Sequence, residues 1–567
     1  MLVTLIVRAV YLIQFVRSPM FGYLRADQRY YFQWAQEIAA GHWLGKEVFE
    51  QAPLYPYLLG IAFSIVGERI VLVLMAQLLL GALSCALLYK CGERLFGKPT
   101  GVVAGLLMAT YGPELFYEGM ILKSFLSPVL TTVALYAALC YRDRQQASRL
   151  WLIGAAVGLA CLERECHILL MLPITVWIWQ TPLPSLSGMK TRFSRLCQLA
   201  VGFGLMLVPS TLHNFTVGGQ FVAVTAGGGE VFYIAHGADA KGFYSAPQFV
   251  TGNPFLEHED FRREAERRTG QKLTRGESSR FWFGEAKRSV LANPMRTLRL
   301  TGEKFVILFN DYEVPDGENF TVTRRFVSLL KVLPTFAWIG GLGLVGIAVS
   351  LLRIRSAWLV VAFAGIHAFT VLLLYNFGRF RIGMMPPWIL LAAAALTWVI
   401  SPSQTRSLKS VSLKLASILS VGLISLVMFR YPFGNLPPGH LAAQEIATAD
   451  LAMIGGNPKL AAPAYERVIE IYSGFDRRVP KISRLMTQSH LGLASIHREN
   501  GDLNSAARHL KDARSLPNRD DFKRVVLQQW VELLEQAVAE SAVIEGVPDP
   551  QAELANLRLQ LESAAKP

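Results

Sequence analysis

Charge is scarce in this chain. Asp, Glu, Lys and Arg together make up 17% of its 567 residues and hydrophobic residues 52%, and a mean hydropathy of +0.33 excludes an ordinary soluble globule. Cysteine is sparse too. The six present (Cys85, Cys91, Cys140, Cys161, Cys166 and Cys197) lie within or beside apolar stretches, which argues against a disulfide framework or a thiolate metal site. The net charge of +14 does not mark a nucleic-acid binder. Its Lys and Arg are scattered through short loops between apolar runs, where a membrane protein keeps positive charge on the cytoplasmic side. The first apolar run, "MLVTLIVRAVYLIQF", lacks a convincing small-residue cleavage site and reads as a retained span.

What is present is a succession of apolar segments. A hydrocarbon core about 30 Å thick needs roughly 20 apolar residues per helix. Runs at about 1–17, 69–90, 100–113, 119–141, 150–163, 166–180, 196–212, 332–352, 357–375, 384–400 and 411–428 meet or approach that length. The predicted fold is an all-α membrane protein of about eleven transmembrane helices, with exoplasmic loops and juxtamembrane helices, over residues 1–430. The run 53–66, short and opened by prolines, is expected as an interfacial or re-entrant helix.

If the first span runs outward, the loops left inside carry Arg94 and Lys98; Arg142, Arg144 and Arg149; Lys190, Arg192 and Arg195; Arg353 and Arg355; Arg406 and Lys409. All are basic, as the positive-inside rule requires. The same parity puts 18–68, 111–119, 213–331, 376–383 and the C-terminus outside. Residues 431–439 form a Pro/Gly linker, and 440–567 a polar, helical segment. Within it, Ala494, Gly501, Ala506, Leu510 and Ala513 resemble a tetratricopeptide repeat, with a fainter copy at Ala449, Gly456, Ala461 and Tyr465. A generic helical tail is the competing reading.

Ionisable groups near a bilayer are costly and mark function more often than on a soluble surface. Four clusters fall on the predicted exterior. Asp27 precedes Tyr30, Tyr31 and Trp34 on an expected amphipathic interfacial helix; it could equally be that helix's N-cap. In "YGPELFYEGMILKSFL", Glu114 and Glu118 occupy a short loop and Lys123 the start of the next span, either a salt bridge or a second acid. "CLERECH" gathers Glu163, Arg164, Glu165 and His167, a structural ion-pair knot or a site. Arg379 and Arg381 sit in an exterior loop of about eight residues, against the positive-inside rule, and a guanidinium fork there suits an anion. The loop 213–331 opens with His213 and contains Gly218, Gly219, Gly227, Gly228 and Gly229, which allow tight turns and close backbone approach without making a phosphate loop. Farther on, Asp311, Glu313, Asp316 and Glu318 resemble a cation site in composition only.

In order, Asp27 with "RYYFQWAQEIAAGHW", "PLYPYLL", "YEGMILKSFL", "GLACLERECHILLMLP", "HNFTVGGQFVAVTAGGGEVFYIAHG" and "GRFRIGMMPP" resemble the GT-C superfamily of polytopic glycosyltransferases. The likeness is strongest to the branch of protein O-mannosyltransferases and lipid A aminoarabinose transferase. It implies transfer of a sugar from a polyprenyl-phosphate carrier to a hydroxyl acceptor (protein, lipid or glycan) on the exoplasmic face, with inversion. It places Asp27 as catalytic acid/base and matches Glu118 to the family's second acid. Arg379 and Arg381, with Lys123 and Arg164, would hold the donor phosphate. Tyr30, Tyr31, Trp34 and His213 would line the interfacial or substrate side. Gln28 follows Asp27 where an Asp-Glu pair would be expected in the protein O-mannosyltransferases. No cofactor is assigned beyond the lipid-linked donor as co-substrate, and a divalent metal is left open. The expected setting is a bacterial inner membrane with the helical domain in the periplasm, available to a protein partner. A transporter or flippase of lipid-linked sugars, or a membrane-anchored assembly protein, are the rival readings.

Overall fold

A computed structural model describes residues 1–182, 188–247, 249–250, 255–401, 408–430, 438–517 and 520–563. Most of the expected linker (431–437) and Arg406 lie outside them. The described residues form no β-strand; their extended pairing is limited to isolated bridges joining Phe243 to Asn376 and Ile544 to Val547. In order the helices are α1 (Leu2–Val16), α2 (Ala26–Ala39), α3 (Leu54–Val66), α4 (Ile70–Phe96), α5 (Lys98–Thr110), α6 (Gly112–Glu118), α7 (Leu126–Asp143), α8 (Ala147–Glu163) and α9 (Met171–Gln180). There follow α10 (Met189–Thr216), α11 (Gly228–His236), α12 (Glu257–Thr269), α13 (Arg275–Ala292), α14 (Pro294–Leu308), α15 (Phe320–Phe326), α16 (Leu329–Val332), α17 (Phe336–Arg353) and α18 (Trp358–Leu373). The series ends with α19 (Gly378–Arg381), α20 (Met385–Ile400), α21 (Leu408–Arg430), α22 (Pro438–Ile454), α23 (Pro458–Tyr472), α24 (Pro480–Glu499), α25 (Leu503–Ser515), α26 (Asp520–Ala539) and α27 (Pro550–Ser563).

The chain divides into two compact units. One comprises Met1–Val16, Gly22–Phe320 and Val327–Gly434; the other Arg17–Phe21, Thr321–Phe326 and Asn435–Pro567. In the first, six helical stretches among the described residues are long and apolar enough to cross a membrane: Ile70–Phe96, Lys123–Asp143, Met189–Thr216, Phe336–Arg353, Arg355–Leu373 and Gly378–Ile400. The remaining expected spans are also helical but shorter or less apolar; those expected at 100–113 and 150–163 are helices of 13 and 17 residues. The Lys123–Asp143 and Gly378–Ile400 stretches are 83% and 78% buried, Met189–Thr216 only 22%. The former are therefore central in the bundle and the latter peripheral.

Apolar helices in lipid gain little from hydrophobicity and hold together by close van der Waals packing, which small residues permit. This unit uses glycine for that purpose. A Cβ on Gly154 or Gly158 of α8 would collide with the α10 backbone, one on Gly202 of α10 with Trp151 of α8, and one on Gly346 of α17 with Leu391 of α20. The expected loop 213–331 is largely helical, carrying α11 to α15. Its glycine run starts α11, and Gly229 lets that helix press against the Ser279 carbonyl of α13.

The second unit stacks helix pairs α22–α23, α24–α25 and α26–α27. Gly456 and Gly501 take φ of +65° and +78° at the turns after α22 and α24, a conformation that suits glycine. Ala449, Ala461 and Tyr465 pack in one core, and Ala494, Ala506, Leu510 and Ala513 in another.

Overpacking a tight contact typically costs about 1–3 kcal/mol. We expect Gly154→Ala to lower the thermal stability of the detergent-solubilised protein by that order, and Gly204→Ala, whose Cβ would meet nothing within 4 Å, to leave it unchanged. Equal melting of the two variants would refute the packing account.

Candidate active site

Asp27 stands in the first turn of α2, two residues beyond the N-cap residue Arg25. Its side chain is not the cap. Asp27 Oδ2 accepts from Arg379 Nη1 at 2.6 Å, and Arg379 Nη2 pairs with Asp316 Oδ2 at 2.5 Å. One guanidinium thus joins carboxylates from two distant parts of the chain.

The backbone is built to allow this. Ala26 has a φ of +42°, a left-handed conformation costing roughly 1–2 kcal/mol for a residue with a Cβ. A Cβ on Gly317 would lie 2.7 Å from that of Ala26, so only glycine lets the 311–318 loop close on the start of α2. Arg381 hangs the other end of this loop. It donates to the carbonyls of Leu308 (3.0 Å) and Asn310 (2.5 Å), pairs with Glu313 and lies 4.2 Å over Phe336. Gly378 N–H donates to the Val314 carbonyl at 2.9 Å. Asn376 Nδ2 donates to the Gly242 and Lys304 carbonyls, both at 3.0 Å. From Gly378 on, the expected exterior loop 376–383 is the first turns of a helical stretch running to Ile400. Arg379 projects from its start, while Arg381 is a buried clamp whose charge already serves Glu313.

Other cations gather near Asp27. Lys123, in a 3-10 turn, donates to Gln51 Oε1 at 3.4 Å and lies 6.0 Å from the Tyr31 ring. It interacts electrostatically with Asp27 and Arg164. Arg164 lies 4.0 Å over Phe380, and Arg379 5.6 Å from the same ring. Arg164 is also 3.6 Å from Glu163, whose other oxygen accepts from Ser127 at 2.7 Å. The Nε atoms of Arg164 and Arg379 are buried without a partner, leaving donors for an incoming anion.

Two sequence expectations shift. Glu118 is not in an open loop: it ends α6, is 1% exposed and pairs with Arg8 of α1 at 2.6 Å. Gln77 of α4 donates to the carbonyls of Glu118 (2.7 Å) and Met120 (2.9 Å), so this acid ties α1, α4 and α6 together. Tyr31 is fully buried, its hydroxyl donating to Gln51 at 3.2 Å, and packs the protein interior rather than a lipid interface. Tyr30 and Trp34 do share a face. Their rings are 5.9 Å apart and, with Phe49, Glu50, His213 and Arg275, they line an open pocket of about 360 Å³. His213 stacks on Phe49 at 3.9 Å.

Sequence reasoning assigned no role to Asp316, Glu318 or Gln51. The acidic loop around 311–318 was visible as composition, and its sequence distance from Asp27 hid its partner. Burial pushes Asp316 up to about 6, Arg379 opposing and Asp27 adding to the rise. Burial, then Asp316, pushes Glu318 up to about 8. These acids do not form a three-donor cation cage; among the described residues that arrangement occurs only in the second unit. Their shared countercharge is Arg379.

Residues 50–210, less than a third of the chain, are similar to the family whose model is described as dolichyl-phosphate-mannose-protein mannosyltransferase. No curated protein matches the chain. Similar solved structures include the oligosaccharyltransferase of Archaeoglobus fulgidus in the apo form, 14% identical with a TM-score of 0.40, covering 75% of this chain and 55% of that one. The archaeal oligosaccharyltransferase AglB from Archaeoglobus fulgidus, in complex with an inhibitory peptide and a dolichol-phosphate, is 15% identical with a TM-score of 0.37 over 75% and 55%. The A. fulgidus enzyme in complex with Zn and sulfate is 15% identical with a TM-score of 0.38 over 78% and 55%. The chain thus spans a little over half the length of these proteins.

A carboxyl whose folded pKa is raised holds its proton more tightly in the native state, so native stability falls as pH rises from the unfolded towards the folded value. For Glu318 that window is 4.5 to about 8, and for Asp316 3.8 to about 6. We expect thermal melts of Glu318→Gln to lose the decline in stability between about pH 6 and 8, keeping below 6 only the part that Asp316 supplies. A wild-type slope above pH 6 in this variant would show that Glu318 is not its source.

Proposed function

We propose that this chain transfers a sugar from a polyprenyl-phosphate carrier to a hydroxyl acceptor at the exoplasmic face of an inner membrane, with Asp27 as the base. The observation that carries the reading is Arg379 paired with Asp27, with Lys123 interacting with Asp27 and with Arg164, cations from three separate segments, beside an aromatic-walled pocket on the same helix.

The acceptor hydroxyl attacks the anomeric carbon and gives its proton to the Asp27 carboxylate. The new C–O bond forms as the bond to phosphate oxygen breaks, and the electron pair leaves with the lipid phosphate, inverting the centre. Arg379 holds Asp27 Oδ2, so Oδ1 is the atom turned to the acceptor. Positioned base catalysis is typically worth 10²–10⁴-fold. The growing phosphate charge is met by Lys123 and Arg164 and by the unpartnered Nε atoms of Arg164 and Arg379; fixed cations in a water-poor site stabilise such charge without reorganising. Asp27, Tyr30, Tyr31 and Trp34 fall at i, i+3, i+4 and i+7 of α2, one helix face. The Tyr30–Trp34 wall therefore borders the acceptor's approach. In this reading Glu118 and Arg381 are positioning residues. The helical second unit is a tetratricopeptide-like platform for a protein partner on the periplasmic side.

Transfer of labelled sugar from polyprenyl-phosphate in membranes tests this. Asp27→Asn should lower kcat about 10²–10⁴-fold at normal protein level, and Trp34→Ala should raise KM for acceptor more than it lowers kcat. Full transfer by Asp27→Asn would end the assignment of Asp27. A cytoplasmic reporter signal from a fusion after Arg430 would overturn the orientation.

A further inference from the structure

In the second unit, α24 and α25 place three ligating side chains together that the transfer chemistry does not use. His490 Nδ1 on α24 and His509 Nδ1 on α25 face each other at 3.1 Å. Asp512, one turn beyond His509, brings Oδ2 to 4.0 Å from His490 Nδ1, and donor atoms from all three lie within 4.8 Å of one another. His490 is buried and Asp512 exposed, so the cluster opens on one side.

At this separation one ring can donate its Nδ1–H to the lone pair of the other, or both lone pairs can turn to a shared cation. Two nitrogens each about 2.0–2.1 Å from a tetrahedral zinc ion are about 3.3–3.4 Å apart, close to the distance seen. The His509 ring is further held by His497, stacked at 5.5 Å and 22°, whose Nδ1 is 3.4 Å from Asp502 Oδ2. An imidazole pair with one carboxylate suits zinc or a similar transition ion better than calcium or magnesium, which favour all-oxygen sites.

We propose that His490, His509 and Asp512 form a site for a divalent transition-metal ion of the zinc class that ties α24 to α25, water completing the coordination. The test uses purified full-length protein with a histidine-free affinity tag. It is stripped with EDTA, dialysed against Zn²⁺ and assayed for bound metal by mass spectrometry. Affinity is measured by competition with a chromogenic chelator, and Co²⁺ supplies a visible d–d spectrum. We expect one equivalent per chain. His490→Ala and His509→Ala should each weaken binding by at least about 100-fold, beyond the 10–100-fold typical of losing a partner behind a ligand, and abolish the Co²⁺ spectrum; Asp512→Asn should weaken it less. His509→Gln, which keeps a polar side chain at the helix contact, separates loss of metal from loss of fold, its helicity being followed by circular dichroism. No retained Zn²⁺ in the wild type, or equal retention by the His490→Ala/His509→Ala double variant, overturns the site.

Discussion

The arrangement around Asp27 depends on one guanidinium. Arg379 joins Asp27 from the start of the chain to Asp316, nearly three hundred residues on, in a setting where an unpaired charge would be costly to bury. Removing one partner of such a network leaves the others stranded, at a typical cost of about 3–5 kcal/mol. The network therefore holds geometry as much as energy: Asp27, Arg379 and Asp316 cannot separate without leaving a charge uncompensated. With two carboxylates on one guanidinium the trio is net negative, and Lys123 and Arg164 nearby have Glu163 and Glu165 beside them.

The surrounding backbone is shaped to meet this requirement. Gly317 gives way to the strained Ala26, Gly378 presses on Glu313 and Tyr117, and Arg381 spends its charge on the 308–313 turn. Two arginines two residues apart in sequence thus have different work. One faces the site and the other secures the loop that completes it. Strain of the kind at Ala26 persists only where neighbours over-determine the conformation, and here they do.

Much of the fold was legible because hydrophobic length and period are local properties. Each expected apolar run is helical, the short "PLYPYLL" run is the short helix α3, and the glycine turns after Ile454 and Glu499 fall where the small-residue pattern placed them. The cluster's membership was partly legible: Asp27, Arg379, Lys123 and Arg164 stood out as ionisable groups in an apolar chain. Glu118 stood out for the same reason yet pairs with Arg8, because a charge in an apolar chain signals only that it has a partner, not which one. The acidic loop at 311–318 looked like generic composition for the converse reason. Its meaning lies in Arg379, and no spacing rule links the two.

By itself the sequence determined an all-helical, membrane-suited unit followed by a polar helical segment, since apolar length, period and the Pro/Gly break are written in neighbouring residues. It also determined which ionisable residues would need partners. The tertiary structure alone decided the pairings: Asp27 with Arg379 and Asp316, Glu118 with Arg8, Arg381 with the 308–313 turn, and His490 with His509. The physical reason is range. Helix formation is settled within a few turns, whereas a buried charge or imidazole finds its partner only after packing has removed water and brought distant segments into contact.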